Sequence, residues 1–396
     1  MPKLKLSALI SAICLMSLVF YGTTGFSQAP RSTIRLTTDP PLNQLAPFEA
    51  EAEINKPPAR LTLEAVDARG QSLKNARIRL QILTPPKTPW FTTDFPIVEG
   101  TKLLDIDAIA PQGTLQLQQT FPIRGTYQLL IDVTPQSANS FKPFQQTLTL
   151  SIPENWIKYR NFAILAVILL VVGLVGGWTI GGRQSIQLGE IAPKRVRLLL
   201  SGAVIVAIAA LLYVNISAEL AQSEMSMPMS HMIESVPKSD TPAVSQVQGL
   251  EMRLSGDKSA IVGQPAQLQV SVIDSQTKQP VPDVQLKVTT TQLENNWTAF
   301  AYEGLNDAAG QFSWQQQFFD GAPHKVEVEV SPSSNAVRKF QPFQVTQTID
   351  VEGVAPPLWV RLIGLSYLVG IVGLGLALGL ILRRQRTRLA RYQIAP

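Results

Sequence analysis

Cysteine is nearly absent from this chain. One residue, Cys14, occurs among 396, and histidine is limited to His231 and His324. Cys14 falls inside the apolar run Leu6 to Tyr21 and lacks the leucine three positions earlier that a lipoprotein signal carries. The rest of the chain therefore offers no disulfide, no thiol nucleophile and no thiolate metal ligand. Also missing are HExxH, GxSxG, GxxxxGK and any paired-carboxylate motif, which removes the usual arrangements for metal-assisted hydrolysis, acyl transfer and phosphoryl transfer. A non-catalytic protein is the expectation.

Charge is absent from three long blocks. Residues 162–182, 198–217 and 362–382 contain no Asp, Glu, Lys, Arg or His. About 20 such residues, at about 1.5 Å of rise each, cross the roughly 30 Å of a bilayer core. A soluble buried helix of that length would show a polar face, and these show none, so three transmembrane helices are expected. Ion and proton pathways need ionisable groups within the membrane, which argues against a pump or coupled transporter. Residues 1–29 form a fourth apolar block of another kind: Lys3 and Lys5, the run Leu6 to Tyr21, then small and polar residues to Ala29. That order is a secretory signal peptide, with cleavage expected after Ser27 or Ala29.

The net charge is +5 and the pI about 9.3, which invites a nucleic-acid reading. The placement of the charge argues against nucleic acid. Arg183, Lys194, Arg195 and Arg197 fill the loop 183–197, and Arg383, Arg384, Arg386, Arg388 and Arg391 fill the tail 383–396. Short basic flanks stay on the cytoplasmic side. Lys158, Arg160 and Arg361 lie on the opposite flank, against nine basic residues on the cytoplasmic one. The expected organisation is then an extracytoplasmic segment 30–157, the helix 162–182, the cytoplasmic loop, the returning helix 198–217, a linker 218–248, a second extracytoplasmic segment 249–357, the helix 362–382 and the cytoplasmic tail. That is a multi-pass protein of a bacterial inner membrane with its domains in the periplasm. Trp156, Trp359 and Tyr213 suit interfacial anchors.

Both outer segments alternate apolar and polar residues with period two. Ile78 to Ile82, Leu148 to Ile152, Leu268 to Val272 and Val326 to Val330 are examples, separated by Gly and Pro, and they predict antiparallel strands buried on one face. The segments also repeat each other. Leu61 to Leu80 aligns with Leu268 to Lys287, each reading strand, Asp-led turn, strand. Gly113 and the residues to Phe121 match Gly310 to Phe319; Tyr127 to Val133 matches Lys325 to Val330; Phe141-Lys-Pro-Phe-Gln145 matches Phe340-Gln-Pro-Phe-Gln344. A unit of sandwich plus trailing helix has been duplicated, each copy large enough to bury its own core. The expected fold class is all-β, two immunoglobulin-like β-sandwich domains plus three transmembrane helices. The Asp-led turns Asp67-Ala-Arg-Gly70 and Asp274-Ser-Gln-Thr277, with the later Gly-x-Phe strand, resemble the bacterial immunoglobulin-like modules of the FixH/YtkA-like and macroglobulin-type families. The resemblance covers about residues 60–152 and 250–352 and implies a fold and a location rather than a reaction.

The sharpest local signal is Met225, Met227, Met229, His231 and Met232. Thioether sulfur and imidazole suit Cu(I), and a flexible segment can wrap several around one ion. Copper handling is one reading of this cluster. An apolar linker resting among lipid headgroups is the other. The first copy has no counterpart, so metal binding is not common to both. His324 is expected on a surface turn, and Asp105, Asp107, Asp307 and Asp320 are expected to serve turns rather than calcium. Gly173, Gly177 and Gly181, and Gly375 with Gly379, are spaced for close helix packing, within the chain or in a homo-oligomer. Expected partners are the lipid bilayer and a membrane or periplasmic protein. The functional expectation is a pair of displayed binding modules, with copper handling as one accessory role; the alternative is a subunit of a transport or export complex whose polar pathway others supply.

Overall fold

The computed structural model describes residues 31–49, 57–88, 93–137, 140–181, 193, 196–197, 202, 242–282, 284–333, 336 and 338–392, with side chains to 386. Period-two patterning becomes one-sided burial in the strands. In β3 (Ala76–Leu83) Ala76, Ile78, Leu80 and Ile82 are buried while Arg77 and Arg79 are exposed, and the same alternation runs through the whole of Phe343–Glu352. Seven strands make up the first half: β1 (Thr33–Asp39), β2 (Ala59–Val66), β3, β4 (Lys102–Ala110), β5 (Thr114–Gln119), β6 (Gly125–Pro135) and β7 (Phe144–Ile152). Helix α1 (Trp156–Ile180) follows. The second half comprises β8 (Ala243–Val247), β9 (Leu250–Gly256), β10 (Ser259–Ile261), β11 (Pro265–Asp274), β12 (Val284–Gln292), β13 (Thr298–Leu305), β14 (Gln311–Gln317), β15 (His324–Pro332), β16 (Phe343–Glu352) and α2 (Leu358–Tyr392). Strand β8 thus occupies the end of the stretch expected as linker.

The halves repeat one pairing scheme. In the first, β1-β2-β5 and β4-β3-β6-β7 are two antiparallel sheets. In the second, β9-β11-β14 and β13-β12-β15-β16 reproduce them. One repeated glycine shows the physical constraint behind the match. Gly113 (φ +75) and Gly310 (φ +71) each lie where a Cβ would stand 2.5–2.6 Å from a backbone oxygen, of Leu73 and Val272 respectively, so only glycine fits the turn.

The two sandwiches are not separate bodies on a string. β5 pairs with β13, and β14 pairs with β4. The first sheet of one half therefore runs on into the second sheet of the other, giving the continuous orders β1-β2-β5-β13-β12-β15-β16-β10 and β7-β6-β3-β4-β14-β11-β9-β8. A single bridge, Leu305↔Ile109, ties these two layers together. The apolar interior is likewise one cluster, extending from Ile34 to Val351.

Two helices of membrane-spanning length and composition are described, not three: Trp156–Ile180 and, within α2, Leu358–Arg386. The expected span 198–217 lies outside the described residues, Gly202 excepted. Both helices leave the same end of the sandwiches, since each follows the last strand of its half, and they run side by side in the same direction. Their contact is made by glycine. A Cβ on Gly173 or Gly177 would lie 2.2 or 2.0 Å from the carbonyl oxygens of Val372 and Leu376, and one on Gly375 or Gly379 would lie 2.3 or 2.2 Å from those of Leu170 and Leu174. The small-residue faces thus meet within one chain. Gly181, at the C-cap of α1, faces the Arg383 side chain and no backbone of α2, a Cβ there standing 3.3 Å from Arg383 Cβ. There the guanidinium groups of Arg383 and Arg386 stand 5.3 and 5.8 Å from the ring of Trp178.

Candidate functional site

Met225, Met227, Met229, His231 and Met232 all lie outside the described residues. Among the described residues no group of three or more His, Cys, Asp or Glu side chains is placed to hold a metal ion. The arrangement that the fold does build, and that sequence reasoning missed, is the seam between the halves.

The seam is symmetric in register. On one side Phe300, Ala301 and Tyr302 stand opposite Gln119, Gln118 and Leu117. On the other, Leu104, Asp105 and Ile106 stand opposite Gln316, Gln315 and Trp314. Leu104 occupies in β4 the place of Phe300 in β13, and Gln119 in β5 the place of Gln316 in β14, so one set of pairs is the other under a two-fold rotation. The glycine contacts of α1 and α2 obey the same exchange, which makes the described sandwiches and helices a covalently linked pseudo-dimer. Side chains lock the register. Thr120 donates from N and Oγ1 to the carbonyls of Ala299 (3.0 Å) and Thr298 (2.7 Å), and Thr101 and Gln317 exchange hydrogen bonds of 2.9–3.0 Å.

The helix-proximal end of the seam is aromatic. The ring of Phe48 lies 4.6 Å from Trp297 and 5.3 Å from Phe319, and Phe95 lies 5.3 Å from Phe319. Phe95 is carried by the β3–β4 connection, which the buried carboxylate of Glu99 pins by accepting from Thr93 N (2.9 Å) and Thr93 Oγ1 (2.7 Å). The same connection reaches the helix, because Asp94 pairs with Lys158. Asn155 caps α1, its side chain accepting from Ile157 N (3.0 Å), and donates from Nδ2 to Glu49 Oε1 (2.7 Å). Trp156 and Trp359 stand exposed at the two helix starts.

His324 is not on a surface turn. It opens β15 inside the core, 1% exposed, with its ring 4.6 Å from Phe318 and 5.8 Å from Trp297. The alternation of β15 points His324 inward with Val326, Val328 and Val330; the adjacent Asp-Gly-Ala-Pro stretch suggests a turn and hides this. Its Nδ1 hydrogen donates to the carbonyl of Ala322 (2.8 Å). Burial penalises the imidazolium and pulls its pKa down to about 4. Counting back from Pro135 and Pro332, which close the two strands, His324 holds the place of Tyr127, one residue earlier than the sequence repeat suggests. Tyr127 is fully buried against Phe121 (4.8 Å) and bonds back to Ile123, accepting from its N (3.0 Å) and donating to its O (2.7 Å). That closure is the tyrosine corner of immunoglobulin-like domains. Burial raises the phenol's pKa.

The acidic residues divide. Asp307 serves a turn, its Oδ1 accepting from Ala309 N and Gln311 N, as Asp67 and Asp274 do in theirs. Asp105 and Asp107 do not serve turns: both lie in β4 and take the forked guanidiniums of Arg79 and Arg77. Burial opposes ionisation of Asp105, but the hydrogen bonds of Arg79 and Lys102 prevail and lower its pKa. Arg79 and Asp105 line a shallow groove of about 330 Å³ across the joined sheet, shared with Gln267 and Gln315. Asp320 accepts from Gln292 Nε2 (3.1 Å), and burial raises its pKa.

No protein-family model matches the chain, and no curated protein matches it by sequence. Among solved structures the chain is similar to a copper-bound variant of FetP from uropathogenic Escherichia coli, at 13% identity over 29% of this chain and 98% of that one, with a TM-score of 0.22. It is similar to the adhesin InvE of Yersinia pseudotuberculosis at 10% identity over 82% of this chain and 61% of that one (TM-score 0.19). It is similar to trypsin-activated alpha-2-macroglobulin from Escherichia coli at 9% identity over 81% and 16% (TM-score 0.21).

Proposed function

We propose that the chain is a membrane-anchored, non-catalytic interaction protein: a paired β-sandwich platform held at the periplasmic face of an inner membrane and acting as an accessory to a partner protein there. One observation carries this reading. The pseudo-two-fold exchange at the sandwich seam recurs at the glycine contacts of α1 and α2, so the helices pair by the same symmetry that joins the sandwiches. Because α1 and α2 run parallel, the chain has to travel back along the pair between residues 181 and 242, and the apolar, uncharged block 198–217 has the length to do so across a bilayer. The absence of hydrolytic and phosphate-binding motifs supports a binding role. The near absence of cysteine makes the test direct. With Cys14 replaced by Ser, cysteines introduced as Arg69→Cys and Gln276→Cys in exposed turns of the two halves label with a membrane-impermeant maleimide in intact spheroplasts, while one introduced at Arg391 labels only after lysis. Labelling of either turn only after lysis refutes the orientation. Stable co-purification of a defined membrane or periplasmic protein in detergent supports the accessory role, and a monodisperse lone chain at native expression refutes it.

Copper handling is a second reading, carried by the sequence cluster Met225, Met227, Met229, His231 and Met232 alone. Titration of the full chain with Cu(I) against a competing chelator, beside a variant with the four methionines changed to Leu, decides it. Tight binding lost in the variant supports this role, and equal weak binding by both removes it.

A further inference from the structure

Both helices leave the sandwiches by short tethers. Residues 153–155 alone separate β7 from α1, and residues 353–357 separate β16 from α2. At no more than about 3.5 Å per residue these reach roughly 10 and 17 Å, of the same order as the headgroup layer of a bilayer. The first tether is also pinned to its sandwich, since Asn155 bonds Glu49 (2.7 Å) and Lys158 pairs with Asp94. The helix-proximal end therefore cannot stand far above a membrane that the helices enter.

The exposed apolar side chains are distributed to match. Outside α1 and α2, five large ones are exposed among the described residues: Leu42, Val244, Ile261, Leu293 and Val354. Scattered singly they would carry no meaning, but four of them stand at the helix-proximal end. Leu42 follows the end of β1, where Asp39 faces Arg60 and the neighbouring Ala59 faces Gln119. The connection 120–124 leads from there to Gly125, opposite Ile152 at the end of β7. Ile261 stands opposite Glu352, the last residue of β16, and Val354 lies just beyond. Leu293 follows Gln292, which faces His324, and His324 in turn faces Ile349 near the end of β16. At the opposite end the turns carry Asp67, Asp274 and Asp307, and no large apolar side chain is exposed there among the described residues. Two of the four side chains sit on hydrogen-bonded turns. Gln44 N donates to the carbonyl of Pro41 (2.8 Å) across Leu42, and Leu293 N donates to the carbonyl of Pro323 (2.9 Å).

We propose that the helix-proximal end is a lipid-contacting surface. Leu42 on the first half and Ile261, Leu293 and Val354 on the second sit in the headgroup layer of the leaflet where α1 and α2 begin, with the exposed Trp156 and Trp359. A lipid surface is the occupant because the tethers bring it to both halves at once. Seating both halves fixes the tilt of the platform and leaves its polar end and sheet faces to a partner. The proposal rests on the helices spanning a membrane, and its experiment separates the two.

The full chain carrying Cys14→Ser is placed in lipid nanodiscs with single cysteines introduced as Leu42→Cys, Leu293→Cys, Arg69→Cys or Gln276→Cys. Each is labelled with nitrobenzoxadiazole and quenched by lipids bearing a nitroxide near the headgroup. All four sites are exposed, and thermal melts confirm that each variant keeps its fold. The labels at Leu42→Cys and Leu293→Cys are expected to be quenched about three-fold or more above the other two, with blue-shifted emission. Equal quenching at all four sites overturns the proposal. Quenching at Leu42→Cys alone does so too, because it leaves the second half off the membrane, as does a blue shift without quenching, which puts protein over these positions. A label at Val167→Cys, on the exposed face of α1, reads the span through nitroxides deep in the acyl chain. Quenching there, with none at Leu42→Cys and Leu293→Cys, sinks this proposal alone; its absence sinks the spanning reading beneath it.

Discussion

The two halves of the chain share a topology down to individual seam pairs, yet they differ in how each closes its core at the end beside the helices. The first half uses a tyrosine corner: the Tyr127 hydroxyl holds both backbone groups of Ile123. The second puts His324 in the same place, with one hydrogen bond to Ala322. The second half also covers its outer edges, β8 lying on β9 and β10 on β16, where the matching β1 and β7 of the first half carry no further strand among the described residues. The lesson is that backbone pairing tolerates wide exchange of side chains as long as the inward face stays apolar and the tight turns keep their glycine. What diverges is the chemistry of the closing residues and the sealing of the edges.

The largest effects should come from the seam itself. Phe300→Ala and Leu104→Ala remove equivalent, fully buried side chains from the two sides, and each should cost roughly 3–4 kcal/mol. Because the core is continuous, both variants should lower one shared unfolding transition in calorimetry. Two transitions, with only one displaced by each variant, would break the comparison by showing that the halves unfold independently.

Next come the helices. Gly177→Leu and Gly379→Leu insert side chains where even a Cβ meets a backbone oxygen, and each should destabilise the helix pair by about 3 kcal/mol. Disulfide crosslinking between engineered cysteines at the helix ends reads this out. Gly181→Leu, which meets only the movable side chain of Arg383 across the pair, should weaken crosslinking far less.

The third prediction turns on the exchange of Tyr127 for His324. The imidazole is held neutral by burial, with a pKa pulled down to about 4 from an ordinary value of about 6.5. Its contribution to stability is therefore complete above about pH 6.5 and is lost as pH falls towards 4, amounting to about 3 kcal/mol at most. His324→Phe should remove this part of the acid sensitivity in chemical denaturation between pH 7 and 4. Tyr127→Phe should instead cost about 1–3 kcal/mol at every pH in that window, because it strands buried backbone groups of Ile123. An unchanged acid profile in His324→Phe would refute the neutral-imidazole account.

The smallest effect belongs to the surface of β4. Arg77→Ala breaks a solvent-exposed pair with Asp107 and should change stability by under about 1 kcal/mol, the more weakly in high salt. A larger loss would mean that this ion pair, whose place in the second half is taken by a hydrogen bond from Gln285 to Glu303, helps to hold the seam.

Much of this architecture is written locally. Period two in Ile78 to Ile82 or Val326 to Val330 fixes which side chains face inward, since a strand has only two faces. The uncharged runs beginning at Phe162 and Leu362 fix two helices by length and apolarity. Gly113 and Gly310 mark the turn in each copy because no other residue avoids Leu73 and Val272. The spacing of Gly173 with Gly177 and of Gly375 with Gly379 names the helix faces that meet. What the sequence could not give was the partner of each edge. Strands β4, β5, β13 and β14 read alike whether they end in water or continue into another sheet, because backbone hydrogen bonds carry no side-chain signature. Only the tertiary structure joined β5 to β13 and β14 to β4, merged two cores into one, and thereby buried His324.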